Sequence, residues 1–272
     1  MPNFSDTNLD NIIELRNIRQ SYDGGKTYII DGLDFLVEDK PAQGQFVVIL
    51  GASGAGKSTV LRYIAGLQRP TVGTVRVKGK PIDEAPRVGM VFQQYSSLPW
   101  RTVLENVALP LEYQGLEKTE RLARAREMVE LVGLKGHEEK FAQYPTLSGG
   151  QLQRVAIARS LIANPDILLM DEPFGALDID TRLQMQDLLT GIWHRIHCTV
   201  VFVTHAISEA VYLADDIYLM KPAPSKFTEH IKVDLPLHRD RDTKRSDRYV
   251  ELVRHVEDRM IAITSGASVP TH

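Results

Sequence analysis

The stretch GASGAGKST (51–59) stands between the apolar run QFVVILG (45–51) and a helical pattern from Lys57 to about Leu67. It matches G-x-x-x-x-G-K-[ST], and that motif needs a strand before it and a helix after it. Gly51, Gly54 and Gly56 allow the backbone to curl so that N–H groups point inward at phosphate oxygens. The helix that starts there adds the positive end of its dipole. The whole loop, Gly51, Ala52, Ser53, Gly54, Ala55, Gly56, Lys57, Ser58 and Thr59, is therefore a candidate phosphate seat. In such a seat Lys57 reaches the β- and γ-phosphates, the Ser58 hydroxyl ligates Mg²⁺, and Thr59 adds a donor.

Further segments extend the strand–loop–helix into an α/β fold. ILLMD (167–171) and TVVFVTH (199–205) are short, continuous apolar runs, the pattern of strands covered on both faces in a mostly parallel sheet. IIELRNIR (12–19) alternates like a half-exposed strand, and TVRVKG and VGMVFQ are further strand candidates. A helix is expected from Asp178 to about Ile196. From about Tyr95 to Ala163 the pattern is mostly helical. In ERLARAREMVELVGL (120–134), Leu122, Ala125, Met128, Val129 and Val132 share one face. This reads as a helical lobe inserted into an α/β core. After Met220 come a linker, KPAPSK, and an edge-like strand, HIKVDLPL. HRDRDTKRSDR holds five Arg/Lys and three Asp and is expected to be a solvated surface. A final amphipathic helix, about Asp247 to Ile263, presents Val250, Val253, Val256 and Met260, and SGASVPTH reads as a disordered end.

Composition limits the function classes. A net charge of −3 over 272 residues gives no basic field for nucleic acid. No stretch reaches the ~18 consecutive apolar residues of a membrane span. The N-terminus, MPNFSDTNLDN, lacks the basic start and apolar run of a signal peptide. The single cysteine, Cys198, lies in an apolar run and reads as a buried structural thiol rather than a reactive one, in a reducing compartment.

The remaining chemistry follows from what stands at strand ends. ILLMDE puts two carboxylates at the carboxyl end of a buried strand, where open α/β sheets bind ligands. Asp171 is placed to hold Mg²⁺ through water, and Glu172 to accept a proton from an attacking water. His205 ends another strand, positioned to orient the γ-phosphate or water. Gln93 ends VGMVFQ, where its amide can sense Mg²⁺ and the attacking water; Gln94 is beside it, and sequence does not separate the two. LSGGQLQR (147–154) is a second anion seat: Ser148 is a good N-cap, and Gly149 and Gly150 leave backbone N–H groups uncovered. It has no lysine, metal ligand or base. Read locally it is a helix cap. Read with the phosphate loop, it is half of a site completed when two copies meet head to tail.

On these residues the chain resembles the nucleotide-binding subunit of ATP-binding-cassette (ABC) transporters, from about Ile12 to Met220. LSGGQ is similar to that family's signature, GASGAGKST to its Walker A, ILLMDEP to its Walker B and GALD (175–178) to its D-loop. Gln93 takes the Q-loop position and His205 the H-switch. The resemblance implies a P-loop NTPase core with an antiparallel β-subdomain and an inserted helical subdomain. The ATPase domain would be 12–220, with a core of 12–94 and 164–220, a lobe at about 95–163 and a short extension at 221–272. It also implies ATP and Mg²⁺ as ligands, Tyr22 stacked on adenine, Ser148, Gly149, Gly150 and Gln151 on the partner's nucleotide, and Asp178 at the dimer interface. SSLPWRTVLENVALPLE and VDLPLHRDRD are similar to the nitrate/sulfonate/taurine importer ATPases, with Trp100 the most telling residue; Trp100 reads equally as a structural anchor for the lobe.

The function implied is ATP hydrolysis coupled to uptake of a small anion. The partners implied are a second copy or a homologous ATPase, polytopic membrane permeases and, indirectly, a solute-binding protein. The place implied is the cytoplasmic face of the inner membrane. An exporter or lipid-extracting ATPase shares every catalytic motif and is the alternative. A DNA- or ribosome-directed ABC protein would carry two cassettes, coiled-coil arms or zinc modules, and a soluble phosphotransferase would leave LSGGQ and GALD without a role.

Overall fold

The computed structural model describes residues 11–40, 43–86, 88–94 and 96–265. The first ten residues, and all but the first residue of the tail SGASVPTH, lie outside them. The chain forms two compact units, one of residues up to Arg87 joined with those from Thr199 onward, the other Val88–Cys198.

In the first unit, β1 (Asn11–Gln20) pairs antiparallel with β2 (Ile30–Glu38) and with β4 (Val72–Val77), and β4 pairs with β5 (Lys80–Pro81). The alternation of β1 is interrupted. Ile13, Leu15 and Ile18 are buried, so the inward residue changes from odd to even positions. A bulge at Asn17, with φ +48°, inserts the extra residue that makes this shift.

The same unit holds a second set of strands. β3 (Gln45–Gly51) lies parallel between β8 (Thr199–Thr204) and β9 (Asp216–Met220), and β10 (Phe227–Lys232) pairs antiparallel with β9. Every residue of β3, β8 and β9 is buried, which explains their unbroken apolar runs. β10 starts earlier than HIKVDLPL suggested, because the turn from Met220 sets Phe227 opposite that residue. Helix α1 (Lys57–Ile64) follows the phosphate loop and stops short of Leu67, since Gly66 takes φ +69°.

Two C-terminal expectations need correction. HRDRDTKRSDR is not uniformly solvated. Arg239 is buried, its guanidinium donating to Tyr212 O and Pro236 O and pairing with Asp215 at 3.1 Å. Asp215 in turn accepts the Phe46 N–H, so the charged run is fastened to the start of β3. The last helix, α7 (Asp247–Ser265), turns Tyr249, Leu252 and Val256 inward and leaves Val250 exposed. The Tyr249 hydroxyl donates to Ser208 O in the turn of α6 (Ile207–Leu213).

In the second unit, β6 (Gly89–Val91) lies parallel to β7 (Ile167–Asp171). Four helices accompany them: α2 (Val103–Tyr113), α3 (Lys118–Leu131), α4 (Gly149–Leu161) and α5 (Ile179–Ile196). Thr102 and Glu105 close a capping box at the start of α2. α3 buries Ala125 and Val129, with Leu122 and Met128 half-buried and Val132 buried just beyond its end. α4 is tied to β6 by the Ser160 hydroxyl on Met90 O. Cys198, at this unit's end, is buried beside the Trp193 indole, whose N–H donates to Cys198 O at 2.9 Å.

Candidate active site

The phosphate loop is shaped by two glycines and one close approach. Gly54 and Gly56 take φ +78° and +86°, which side chains rarely adopt. Gly51 does not. It is glycine because a Cβ there would fall 2.7 Å from Met220 O on β9. The expectation that all three serve the curl is corrected on this point. Lys57 is buried, and its ammonium donates to Gly51 O and Ala52 O at 3.0 Å each, folded back along the loop that precedes it. Ser58 and Thr59 are half-buried in the first turn of α1, and Ser53 and Gly54 are exposed at the loop's tip.

Tyr22 lies in the loop after β1, and 68% of its surface is exposed. Asp23 organises that loop by accepting the Thr27 hydroxyl at 2.6 Å, the Thr27 N–H at 2.9 Å and the Ser21 hydroxyl at 2.7 Å. These donors, Thr27 foremost, hold the Asp23 carboxyl well below the usual range. The Tyr22 hydroxyl accepts from Gln68, so the ring is displayed on a fixed loop. His205 is exposed just past β8. The Thr204 hydroxyl fixes its turn by donating to Glu209 at 2.5 Å and accepting the Ala206 N–H at 3.0 Å.

In the second unit, Asp171 ends β7 and is buried, and Glu172 follows at φ +42°. A carboxylate residue in left-handed backbone is strained, a condition concentrated at functional sites. A Cβ on Gly175 would lie 3.8 Å from Glu172 Oε2 and 3.9 Å from Gln93 Nε2. The base candidate and the Q-loop amide thus converge over one glycine. Both Gln93 and Gln94 are exposed, and the Gln93 amide is the one that reaches this point.

The signature segment starts α4. Ser148 Oγ accepts the Gln151 N–H at 3.3 Å, and Gln151 Oε1 accepts the Ser148 N–H at 2.9 Å. This capping box leaves the Ser148 hydroxyl hydrogen free to donate. Gln151 Nε2 is directed at His137 Nε2, 3.4 Å away. Asp178 caps α5, with Oδ1 accepting the Thr181 N–H at 3.0 Å. Thr181 itself was not a sequence candidate; its only signal is the three-residue spacing after an N-cap aspartate. Trp100 has 69% of its surface exposed, so it does not anchor the lobe by burial.

Ser58 in the first unit and Asp171 and Gln93 in the second carry hard oxygen groups of the kind Mg²⁺ takes. Among the described residues no cluster of three His, Cys, Asp or Glu could hold a metal.

A phosphate loop on a parallel α/β core, a carboxylate pair ending a buried strand and a lysine-free second anion seat together define a P-loop nucleotide hydrolase. The profile described as ABC transporter matches residues 38–175. The nitrate import ATP-binding protein NrtD of a Synechocystis strain is 46% identical over 208 residues, 76% of this chain and 76% of its own. The taurine import ATP-binding protein TauB of Rhizobium johnstonii is 48% identical over 208 residues, 75% of this chain and 78% of its own. The solved dimer of the ATP-binding cassette MJ0796 in a post-hydrolysis state with ADP and Pi superposes with a TM-score of 0.68 at 33% identity. It matches 81% of this chain and 98% of that one. The chain belongs to the ABC transporter family and is an ATP-hydrolysing subunit of its import branch. An export role is not favoured.

Proposed function

We propose that two copies of this subunit, or one copy and a homologous ATPase, close head to tail around ATP and Mg²⁺. In each site Lys57 holds the β- and γ-phosphates, and Ser58, Asp171 and Gln93 hold Mg²⁺, which neutralises phosphate charge. Tyr22 stacks on adenine. Glu172 takes the proton of the attacking water, and His205 orients that water against the γ-phosphate. Ser148, Gly149, Gly150 and Gln151 of the other copy supply donors to the same phosphate, and Asp178 lies at the interface. The catalytic domain is 12–220, with its core at 12–94 and 164–220 and its helical lobe at about 95–163; 221–272 is an extension.

The convergence of Glu172 Oε2 and Gln93 Nε2 over Gly175 carries the hydrolytic assignment. The dimeric state of the ADP- and Pi-bound relative supports the two-copy arrangement.

Closure would drive permease subunits at the cytoplasmic face of the membrane. Trp100 and Phe141, two of several exposed apolar residues, would be offered to them; the Ala142 N–H donates to Arg101 O, which brings their two segments together. The names of relatives, nitrate import and taurine import proteins, support a nitrate-, sulfonate- or taurine-like anion as the solute, which a solute-binding protein would deliver.

Ser148→Arg tests the shared site. Turnover in the reconstituted complex should fall at least about a hundredfold, because a bulky cation replaces a phosphate donor. ATP affinity of the isolated subunit should stay within about twofold. Turnover at the native rate would refute the two-copy arrangement.

A further inference from the structure

Gly150, the second glycine of the signature, is buried. A Cβ added to it would fall 2.5 Å from Thr181 Cγ2, well inside van der Waals contact. Thr181 sits in the first turn of α5 and is held in place. Its backbone N–H donates to Asp178 Oδ1 at 3.0 Å, and Thr181 is the main cause that holds the Asp178 carboxyl below its ordinary value. A β-branched side chain has few χ1 wells, and the one occupied here places the methyl against Gly150.

We propose that Gly150 is a glycine because Thr181, pinned by Asp178, occupies the space a Cβ would need, and that Thr181 thereby positions the signature helix α4 against α5. Thr181 touches no nucleotide. It acts through its two neighbours, one in LSGGQ and one in GALD. Both segments are assigned to the partner-facing surface, so the functional consequence rests on the shared-site reading. A displacement of α5 at its first turn is passed to the signature by direct contact rather than through the intervening chain.

The test is a double-mutant comparison in the complex reconstituted with its membrane partner. Gly150→Ala is made in the native background and again in Thr181→Ser, which keeps the hydroxyl and removes the methyl. Gly150→Ala should lower kcat on the order of tenfold in the native background and less than about threefold in the serine background, with KM for ATP little changed in both. An equal loss in the two backgrounds overturns the proposal, since the glycine would then be required by something other than Thr181. No loss in the native background overturns it as well. If Gly150→Ala yields no folded protein, recovery of folded protein in the serine background supports the contact, and continued failure refutes it. Failure of the shared-site reading shows separately, as native turnover in Ser148→Arg.

Discussion

Single residues here are held in states that ordinary solution values do not describe. Glu172 takes φ +42°, at a cost of about 1–3 kcal/mol that the surrounding fold must offset. That strain turns its carboxylate toward the space over Gly175, where Gln93 also reaches. Cys198 is the inert counterpart. Burial pushes its thiol up to about 11, so at pH 8 almost none is thiolate, the form that reacts. Alkylation of the native protein by iodoacetamide at pH 8 should be at least about a hundredfold slower than in guanidinium, where the thiol returns to its ordinary value near 8.5. Comparable labelling rates in the two conditions would contradict the buried assignment.

At the level of elements, a bulge and a glycine depend on each other. The extra residue in β1 presses the Arg16 and Asn17 carbonyls toward β4, and a Cβ on Gly73 would meet each at 2.6 Å. Gly73 also takes φ +107°. Gly73→Ala should therefore destabilise the protein by about 3 kcal/mol or more, from backbone strain plus collision. Gly24→Ala, where φ is +73° but nothing lies within 4 Å, should cost only about 1 kcal/mol. Denaturant titration of the two variants checks the difference, and equal losses would mean the carbonyl contact is unimportant. The bulge also marks where the sequence was hard to read. Continuous apolar runs gave β3, β7 and β8 directly, because a strand buried on both faces has no other pattern. IIELRNIR looked like simple alternation, yet Leu15 to Ile18 is a spacing of three, which only an inserted residue reconciles with one face. On α7, valines at 250, 253 and 256 and Tyr249, Leu252 and Val256 form overlapping stripes, and packing chose the one whose tyrosine hydroxyl reaches Ser208. Arg239 escaped notice because its partner, Asp215, is remote in sequence. The motif residues were legible one by one, since each needs its own chemistry. Thr181 and the reason for Gly51 were not, because both depend on a neighbour from another segment.

For the molecule as a whole, the candidate catalytic residues are divided between the two units. The phosphate loop, Tyr22 and His205 belong to the first unit, and Asp171, Glu172, Gln93 and the signature to the second. No helix among the described residues is long and apolar enough to cross a membrane. On the two-copy proposal, ATP bound between copies would stabilise the closed pair by mass action, about 2.7 kcal/mol at a concentration a hundred times the dissociation constant. On the same proposal, hydrolysis would remove that stabilisation and make the pair transient. Glu172→Gln separates the two halves of this cycle. The amide keeps the size of the side chain and cannot accept the water's proton, so turnover should fall by about 10²–10⁴. The ATP-bound pair should then accumulate, visible in light scattering as twice the subunit mass with ATP and Mg²⁺ and as single subunits with ADP. A variant that stayed single in saturating ATP and Mg²⁺, even with its membrane partner present, would mean that closure does not depend on nucleotide shared between copies. Turnover near the native rate would instead move the proton acceptor to another residue and leave the pairing intact.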